Sequence, residues 1–219
     1  MIHFNVVIAT PGSKLTAEYV KSLLGTIQVM QANNISWHFQ NEYASLVTNA
    51  REATITGSRQ LEVFNKSPGK GQYTYDKIFC IDSDIVWAPE HFLKLYSSDK
   101  DVISGVYFEA QGADAMIHKT KESYRPMTRD EVSTLAQIGD PFKVWGVGLG
   151  FVCVKQGVFE NLQRPWYRLG KVVQQIDDVV YELPLGEDLD WCDRVAEKGH
   201  GIYVDPTVVV GHMKTNLVL

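Results

Sequence analysis

The stretch Lys77-Ile78-Phe79-Cys80-Ile81-Asp82-Ser83-Asp84 decides the fold, because an apolar run stops there at two carboxylates. Such a run, bounded by charge, is typical of a central strand that is buried on both faces. Two carboxylates one residue apart at the end of that strand can share a hard divalent cation, and the cation can bind a diphosphate. Burying two like charges without a cation would cost free energy. The stretch therefore predicts a buried strand with a metal site at its carboxyl end.

Asp-x-Asp is a short pattern that also arises by chance. The sequence contains it three times, at Asp82/Asp84, Asp99/Asp101 and Asp188/Asp190. Asp99 and Asp101 lie in a polar turn after a predicted helix, where solvated charges need no ligand. The first pair directly follows a strand that should be buried, so we interpret that pair as the cation site.

Outward from this strand, the sequence alternates between predicted strands and helices. Strands are predicted over residues 3–9, 35–40, 77–81, 101–107, 151–154, 203–204 and 208–210, and helices over 17–32, 46–61, 89–96 and 186–198. Thr16 is the expected cap of the first helix, whose predicted buried face consists of Val20, Leu23, Leu24, Ile27 and Met30. The alternation predicts one α/β domain with a mostly parallel central sheet and ligands at the carboxyl ends of its strands.

Two polar segments interrupt this alternation, residues 109–143 and 168–185. We expect both to be mobile loops around the site, the first with at most one short helix near residues 128–135.

Composition excludes several classes of protein. The chain has 219 residues, 45% of them hydrophobic and 11% aromatic, which fits one globular domain and argues against disorder. A net charge of -5 without a long basic run disfavours a duplex nucleic-acid binder. There is no apolar run of the length a membrane span needs and no signal-peptide pattern. Cys80, Cys153 and Cys192 are far apart in apolar surroundings, so we expect buried free thiols and a cytoplasmic protein.

Four acidic residues fall near the start of the last predicted helix: Glu182, Glu187, Asp188 and Asp190. Acids at a helix N-terminus complement the helix dipole, so capping explains them. They could equally supply a general base or an electrostatic stabiliser at the mouth of a site. The residue types alone leave both interpretations open.

Gly211-His212-Met213-Lys214 follows the last predicted strand. A lone histidine there is more often an ordinary surface or core residue than a metal ligand, unless the acidic motifs lie beside it. Lys214 could contact a phosphate as a point charge.

The segment Val144-Trp145-Gly146-Val147-Gly148-Leu149-Gly150 has glycine at alternate positions before a strand. The glycines could let a ligand approach the backbone, or they could form a tight turn or bulge. Trp145 could stack on a sugar face or belong to the core.

In this order the motifs resemble the nucleotide-sugar glycosyltransferases of the GT-A fold, in the family-2-like branch. The resemblance covers nearly the whole chain, and its minimal size also resembles a glycosyltransferase domain of large algal viruses. It rests on Thr10-Pro11, Asp82-Ser83-Asp84, residues 144–151, Gly186-Glu187-Asp188-Leu189-Asp190-Trp191-Cys192-Asp193-Arg194, Gly199, Val204-Asp205-Pro206 and Gly211-His212. The resemblance implies a single-domain GT-A (Rossmann-like) α/β fold.

The same resemblance implies a donor site for a UDP-sugar with Mn²⁺ or Mg²⁺. Asp84 and His212 would ligate the metal, Asp82 would face the metal or the ribose, and Lys214 would meet the diphosphate. Thr10, Pro11 and Ser83 would line the nucleotide pocket, and Arg51 would lie near the base or brace Asp82.

On the acceptor side, the resemblance implies that Trp145, Gly146 and Gly148 face the donor sugar or a glycan or glycoprotein acceptor. Asp188, with Glu187 beside it, matches the position of the catalytic base in inverting members. A retaining enzyme stays open, in which these carboxylates would orient or stabilise. The acceptor itself is unassigned, and the chain could be the N-terminal part of a longer protein.

Three other functions compete with this one. A sugar nucleotidyltransferase would want a basic, glycine-rich loop after the first strand, and Thr10-Pro11-Gly12-Ser13-Lys14 is thin for that. A non-catalytic nucleotide- or glycan-binding module could keep the same fold. A metal nuclease is disfavoured by the acidic balance and the lack of a basic groove.

Overall fold

The computed structural model describes residues 1–58, 67–109, 112–176 and 178–213. The helices are α1 (Ala17–Ala32), α2 (Val47–Thr56), α3 (Pro89–Tyr96), α4 (Arg129–Ile138), α5 (Val158–Asn161) and α6 (Glu187–Glu197), with a 3₁₀ turn at Pro68–Gly71. The strands are β1 (Ile2–Pro11), β2 (Trp37–Glu42), β3 (Tyr73–Ile81), β4 (Ile85–Val86), β5 (Val102–Val106), β6 (Asp114–His118), β7 (Pro126–Thr128), β8 (Phe142–Val144), β9 (Gly146–Val147), β10 (Phe151–Lys155), β11 (Gly170–Ile176), β12 (Val179–Leu185), β13 (Ile202–Val209) and β14 (Gly211–His212).

A seven-stranded sheet in the order β2-β1-β3-β10-β5-β13-β8 forms the centre of the molecule. β1 is parallel to β2 and β3, β13 is parallel to β5, and β10 and β8 are antiparallel to their neighbours. Five of the seven strands therefore run the same way, which confirms the predicted mostly parallel sheet. The carboxyl ends of β1, β3, β5 and β13 meet at one edge, where ligands bind in folds of this kind.

Two apolar clusters cover the two faces of the sheet. On one face, Phe79 and Ile81 of β3 pack with residues of α1 and α3; on the other, Ile78 and Cys80 pack with residues of α2 and α6. β3 is thus buried on both faces, as its continuous apolar run predicts. The three cysteines are buried free thiols.

Helix α1 has the predicted bounds and the predicted Thr16 cap. Its predicted buried face is partly confirmed, since Met30 is buried and Leu23 and Ile27 pack against the core. Val20 and Leu24 are exposed, whereas Ser22 and Thr26 are buried. Their hydroxyls are satisfied by Trp87, whose backbone N–H donates to Ser22 Oγ at 3.0 Å and whose indole N–H donates to Thr26 Oγ1 at 2.8 Å. Hydrogen bonding lets polar residues occupy positions that an apolar pattern assigns elsewhere.

Helix α2 is shorter than predicted. It ends at Thr56 because Gly57 adopts a left-handed conformation, with φ of 71°, which terminates the helix. The end of the predicted helix falls partly in residues 59–66, which lie outside the described residues.

The two polar segments contain more regular structure than the sequence predicts. The first forms β6, β7 and helix α4, and the second forms the hairpin of β11 and β12. These strands are short or have exposed faces, so they lack the apolar alternation by which strands are recognised. The mobility of both segments stays a prediction. In the described part of the chain, no helix combines the length and apolarity needed to cross a membrane.

Candidate functional site

The candidate site lies where the acidic loop after β3 meets the last described residues. Asp82 N–H donates to the carbonyl of Gly150 at 3.0 Å, which holds the loop against the start of β10. β4 follows directly and pairs antiparallel with β14, with Ile85 opposite His212. Met213 N–H donates to the Asp84 carbonyl at 2.8 Å. The chain therefore brings His212 back beside Asp84, although the two are far apart in sequence.

Asp84 and His212 face each other across a short gap. His212 Nε2 lies 3.3 Å from Asp84 Oδ2, and His212 Nδ1 lies 2.9 Å from the Phe108 carbonyl. A carbonyl can only accept, so Nδ1 carries the proton, and in the neutral ring the lone pair of Nε2 points towards Asp84. The ring is also fixed edge-on against Tyr107, with centroids 5.3 Å apart. A lone pair facing a carboxylate is a place for a proton or a cation.

Arg51 holds the other acid of the loop. Its Nη1 and Nη2 donate to Asp82 Oδ1 and Oδ2 at 2.8 and 3.0 Å, a bidentate pair, and its Nε lies 3.3 Å from Glu187 Oε1. The side chain is only 9% exposed. Burial is the largest single influence and lowers the pKa of Arg51, but the charge and hydrogen bonds of Asp82, together with the charges of Tyr167 and Glu187, outweigh it and keep that pKa well above its ordinary value. Arg51 thereby ties α2, the loop after β3 and the start of α6 together.

This pairing limits the ligands available to a metal. Each oxygen of Asp82 accepts one hydrogen bond from Arg51, whereas Asp84 and His212 lie together as a candidate pair of ligands. Within residues 1–58, 67–109, 112–176 and 178–213, no group of three or more His, Cys, Asp or Glu side chains converges on one point. An oxygen and an imidazole nitrogen suit Mn²⁺ or Mg²⁺ only if diphosphate oxygens and water fill the other positions.

Glu187 and Asp188 begin helix α6 and lie in different surroundings. Glu187 lies against Arg51, while Asp188 Oδ1 accepts from the N–H of Leu189 at 2.9 Å. Burial and then the charge of Glu187 raise the pKa of Asp188 above its ordinary value. A carboxylate whose pKa is raised is a stronger base than an ordinary aspartate.

The other acids near this helix start are engaged elsewhere. Asp190 is buried between Arg168 and Arg194, with nitrogen–oxygen distances of 3.2 and 2.8 Å. Glu182 pairs with Lys171 at 2.6 Å on the exposed hairpin. Of the four acids that the sequence groups together, the structure brings Glu187 and Asp188 towards Asp82, and it uses the other two in structural pairs.

A cleft of about 310 Å³ opens beside the acidic loop. Its lining includes Pro11, Tyr43, Val47, Arg51, Asp82, Ser83 and Asp84. Thr10 does not line this cleft: its side chain is fully buried, and its hydroxyl bonds to that of Tyr19. Tyr43 and Val47 have no local sequence signal that would mark them as lining residues.

The glycine-rich segment is explained by packing. A β-carbon on Gly146 would lie 2.6 Å from Leu189 Cδ2, and one on Gly148 would collide with the hydroxyl of Tyr107. Trp145 is half-buried, and its indole N–H donates to Asp193 Oδ1 at 2.9 Å. The structure thus gives all three a protein partner. The role of Lys214 cannot be placed, since it lies outside the described residues.

Comparison with solved structures identifies the fold. A197 from STIV aligns with a TM-score of 0.55 and 15% identity over 98% of this chain and 87% of that one. The catalytic domain of Drosophila beta1,4-galactosyltransferase 7, solved with xylobiose, aligns with a TM-score of 0.50 and 11% identity over 98% and 72%. GalNAc-T7, solved with UDP, GalNAc and Mn²⁺, aligns with a TM-score of 0.50 and 14% identity over 95% of this chain and 37% of that one.

The chain has a GT-A-type α/β fold. At these identities the likeness shows the fold alone. No protein-family model matches the sequence. No curated protein matches it either.

Proposed function

We propose that this chain is a metal-dependent glycosyltransferase that moves a sugar from a UDP-sugar to a hydroxyl of a glycan or glycoprotein acceptor. One observation carries the proposal: the Asp84–His212 pair and the Asp188 carboxylate lie at the same edge of the sheet, joined through Asp82, Arg51 and Glu187. That edge is where GT-A-type folds have room for a ligand. The neighbours with this fold include glycosyltransferases.

The donor would lie along the cleft beside the acidic loop. Its nucleoside would occupy the space between Pro11, Tyr43 and Val47, and its diphosphate would reach Asp84 and His212. A Mn²⁺ or Mg²⁺ ion held there would neutralise charge on the diphosphate as it leaves. Arg51 keeps Asp82 in one orientation, so that Asp82 is available to a ribose or sugar hydroxyl as an acceptor.

Asp188 is the better candidate for the general base. Glu187 already accepts from Arg51, whereas the pKa of Asp188 is raised by burial and by Glu187. In an inverting reaction, Asp188 would take the proton of the acceptor hydroxyl as its oxygen bonds to the anomeric carbon. The bond from that carbon to the diphosphate breaks, and the electron pair leaves with the diphosphate.

Binding of UDP tests the donor site. Isothermal titration with UDP in Mn²⁺ should give heat, and melting temperature should rise; EDTA should abolish both effects. Asp84→Asn should weaken binding strongly. Asp99→Asn is the matched control, because Asp99 belongs to another Asp-x-Asp pattern and is exposed. If wild-type protein shows neither heat nor a melting shift with UDP and Mn²⁺, the donor site is wrong.

Turnover tests the base. A panel of UDP-sugars should reveal slow Mn²⁺-dependent hydrolysis, and Asp188→Asn should lose turnover while it keeps UDP binding. Turnover retained by Asp188→Asn would remove Asp188 as the base. UDP binding without turnover on any sugar or acceptor would favour the non-catalytic module. Release of pyrophosphate from a nucleoside triphosphate and a sugar phosphate would favour the nucleotidyltransferase.

A further inference from the structure

A second cleft, of about 400 Å³, lies on the other side of His212. Its lining includes Phe108, Glu109, Arg129, Val209, Val210, Gly211 and His212. It opens where β5 and β13 end, at the same edge of the sheet as the acidic loop. His212 faces Asp84 with Nε2 and contributes to this cleft as well, so the two clefts meet at the candidate metal pair.

Arg129 is fixed in this second cleft by two contacts. Its guanidinium carbon lies 3.7 Å from the centre of the Phe108 ring, and its Nε donates to the Gly112 carbonyl at 3.0 Å. Gly112 adopts a left-handed conformation, with φ of 72°, that a larger residue would adopt only under strain. Stacking and one hydrogen bond together set the plane of the guanidinium before any ligand arrives.

The two terminal nitrogens of Arg129 are not engaged by a carboxylate of the described residues. The neighbouring acid Glu131 pairs instead with Arg125, at 2.7 Å, and with the cap of α4. Glu109 lines the same cleft without forming an ion pair with Arg129 in the described structure. An oriented guanidinium fork with open donors matches a carboxylate or a phosphate.

We propose that this Arg129 cleft binds an anionic, hydroxylated group of the acceptor: a sugar carboxylate or a sugar phosphate. Arg129 takes the anion and Glu109 accepts from hydroxyls beside it, which explains why opposite charges share a cleft without pairing. The assignment to an acceptor rests on the proposed transferase function. The anion site itself does not, since it stands on the geometry of Arg129, Phe108 and Gly112.

Titration without metal or nucleotide isolates this cleft from the donor site. In EDTA, glucuronate and glucose 6-phosphate would be titrated by NMR or calorimetry, with glucose as the neutral probe of similar shape. At least one anionic probe binds wild-type protein more tightly than glucose does, and the tighter of the two shows whether the cleft prefers a carboxylate or a phosphate. Arg129→Gln weakens that binding about tenfold or more, because one charge-assisted bidentate contact is lost.

Three further variants complete the test. Arg125→Gln removes the same charge outside the cleft and binds like wild type. Arg129→Lys keeps the charge without the planar fork, so its affinity for the anion lies between those of wild type and Arg129→Gln. This variant still tests the inference if Arg129→Gln fails to fold. Glu109→Gln removes a negative charge from the cleft and does not weaken anion binding.

Equal binding by Arg129→Gln and wild type overturns the inference, as does no preference of wild type for either anion over glucose. UDP binding in Mn²⁺, measured on the same variants, separates the two proposals. If wild-type protein binds UDP but neither anion, this inference alone is removed; if wild-type protein binds an anion but not UDP, the donor site alone is removed.

Discussion

Replacement of Arg51 by methionine should destabilise the protein strongly, because it leaves the partly buried carboxylates of Asp82 and Glu187 without their guanidinium partner. Removing one partner of a buried ion pair costs about 3–5 kcal/mol. The Asp82 side chain is 26% exposed and Glu187 14%, so water can return to part of each carboxylate. We therefore expect a loss of roughly 2–4 kcal/mol in the free energy of unfolding. For a domain of this size that corresponds to a fall in melting temperature of roughly 4–16 °C.

Urea unfolding of a double-mutant cycle provides the measurement. Arg51→Met, Asp82→Asn and the double variant should be compared with wild type, with two-state behaviour checked by two probes. The double variant should be less destabilised than the sum of the single variants by about 1–3 kcal/mol, because Asp82→Asn removes the stranded charge. Arg125→Met is the matched control, since Arg125 also makes a bidentate pair, with Glu131, on the exposed surface.

Two results would contradict this reasoning. One is a loss below about 1 kcal/mol for Arg51→Met, which would mean that the carboxylates rehydrate freely. The other is simple additivity in the cycle, which would mean that the two side chains are not energetically coupled. A large effect of Arg125→Met would show that exposed pairs matter as much as the Arg51 pair.

Three further changes test other parts of the structure. Glu187→Gln should move the acid limb of the pH–activity profile to lower pH, because it removes a charge that raises the pKa of Asp188. Asp188 then ionises at lower pH. An unmoved acid limb would show that ionisation of Asp188 does not control activity. Gly148→Ala should lower the free energy of unfolding in urea by about 1–3 kcal/mol, since its β-carbon would collide with the hydroxyl of Tyr107. The loss should be smaller in a Tyr107→Phe background. An equal loss in both backgrounds would show that this collision is not the cause. Glu52→Gln should lower the free energy of unfolding by about 3 kcal/mol. Glu52 pairs with the largely buried Arg164 at 2.6 Å and accepts from the N–H of Trp166 at 2.8 Å. A melting temperature equal to that of wild type would show that neither contact stabilises the fold.

The sequence was informative wherever one local rule dominates. Thr16 caps α1, and Pro89 begins α3, because capping and proline geometry depend on a few consecutive residues. The β3 strand is visible as an apolar run because it is buried on both faces. The order of these elements then predicts the sheet.

Contacts between residues of different helices and strands could not be predicted from the sequence pattern. Ser22 and Thr26 are buried because Trp87, a residue from another element, satisfies them. The link from Arg51 to Glu187 joins residues in α2 and α6, and no spacing in the sequence signals it. The β11–β12 hairpin was missed because its exposed strands mix apolar and polar residues on both faces. Side-chain partners are fixed by the tertiary structure, so the sequence predicts candidate residues but not the hydrogen bonds and ion pairs among them.

Strand β10 has a consequence for the order of folding. It follows β3 and β5 in the chain, yet lies between them in the sheet and is the strand through which the two halves join. Asp84 belongs to the half that contains β1 and β3, whereas His212 follows β13 in the other half. Such non-local pairing delays closure of the sheet. A chain still being synthesised therefore holds Asp84 without His212, and the Asp84–His212 pair forms only after the final strand has docked.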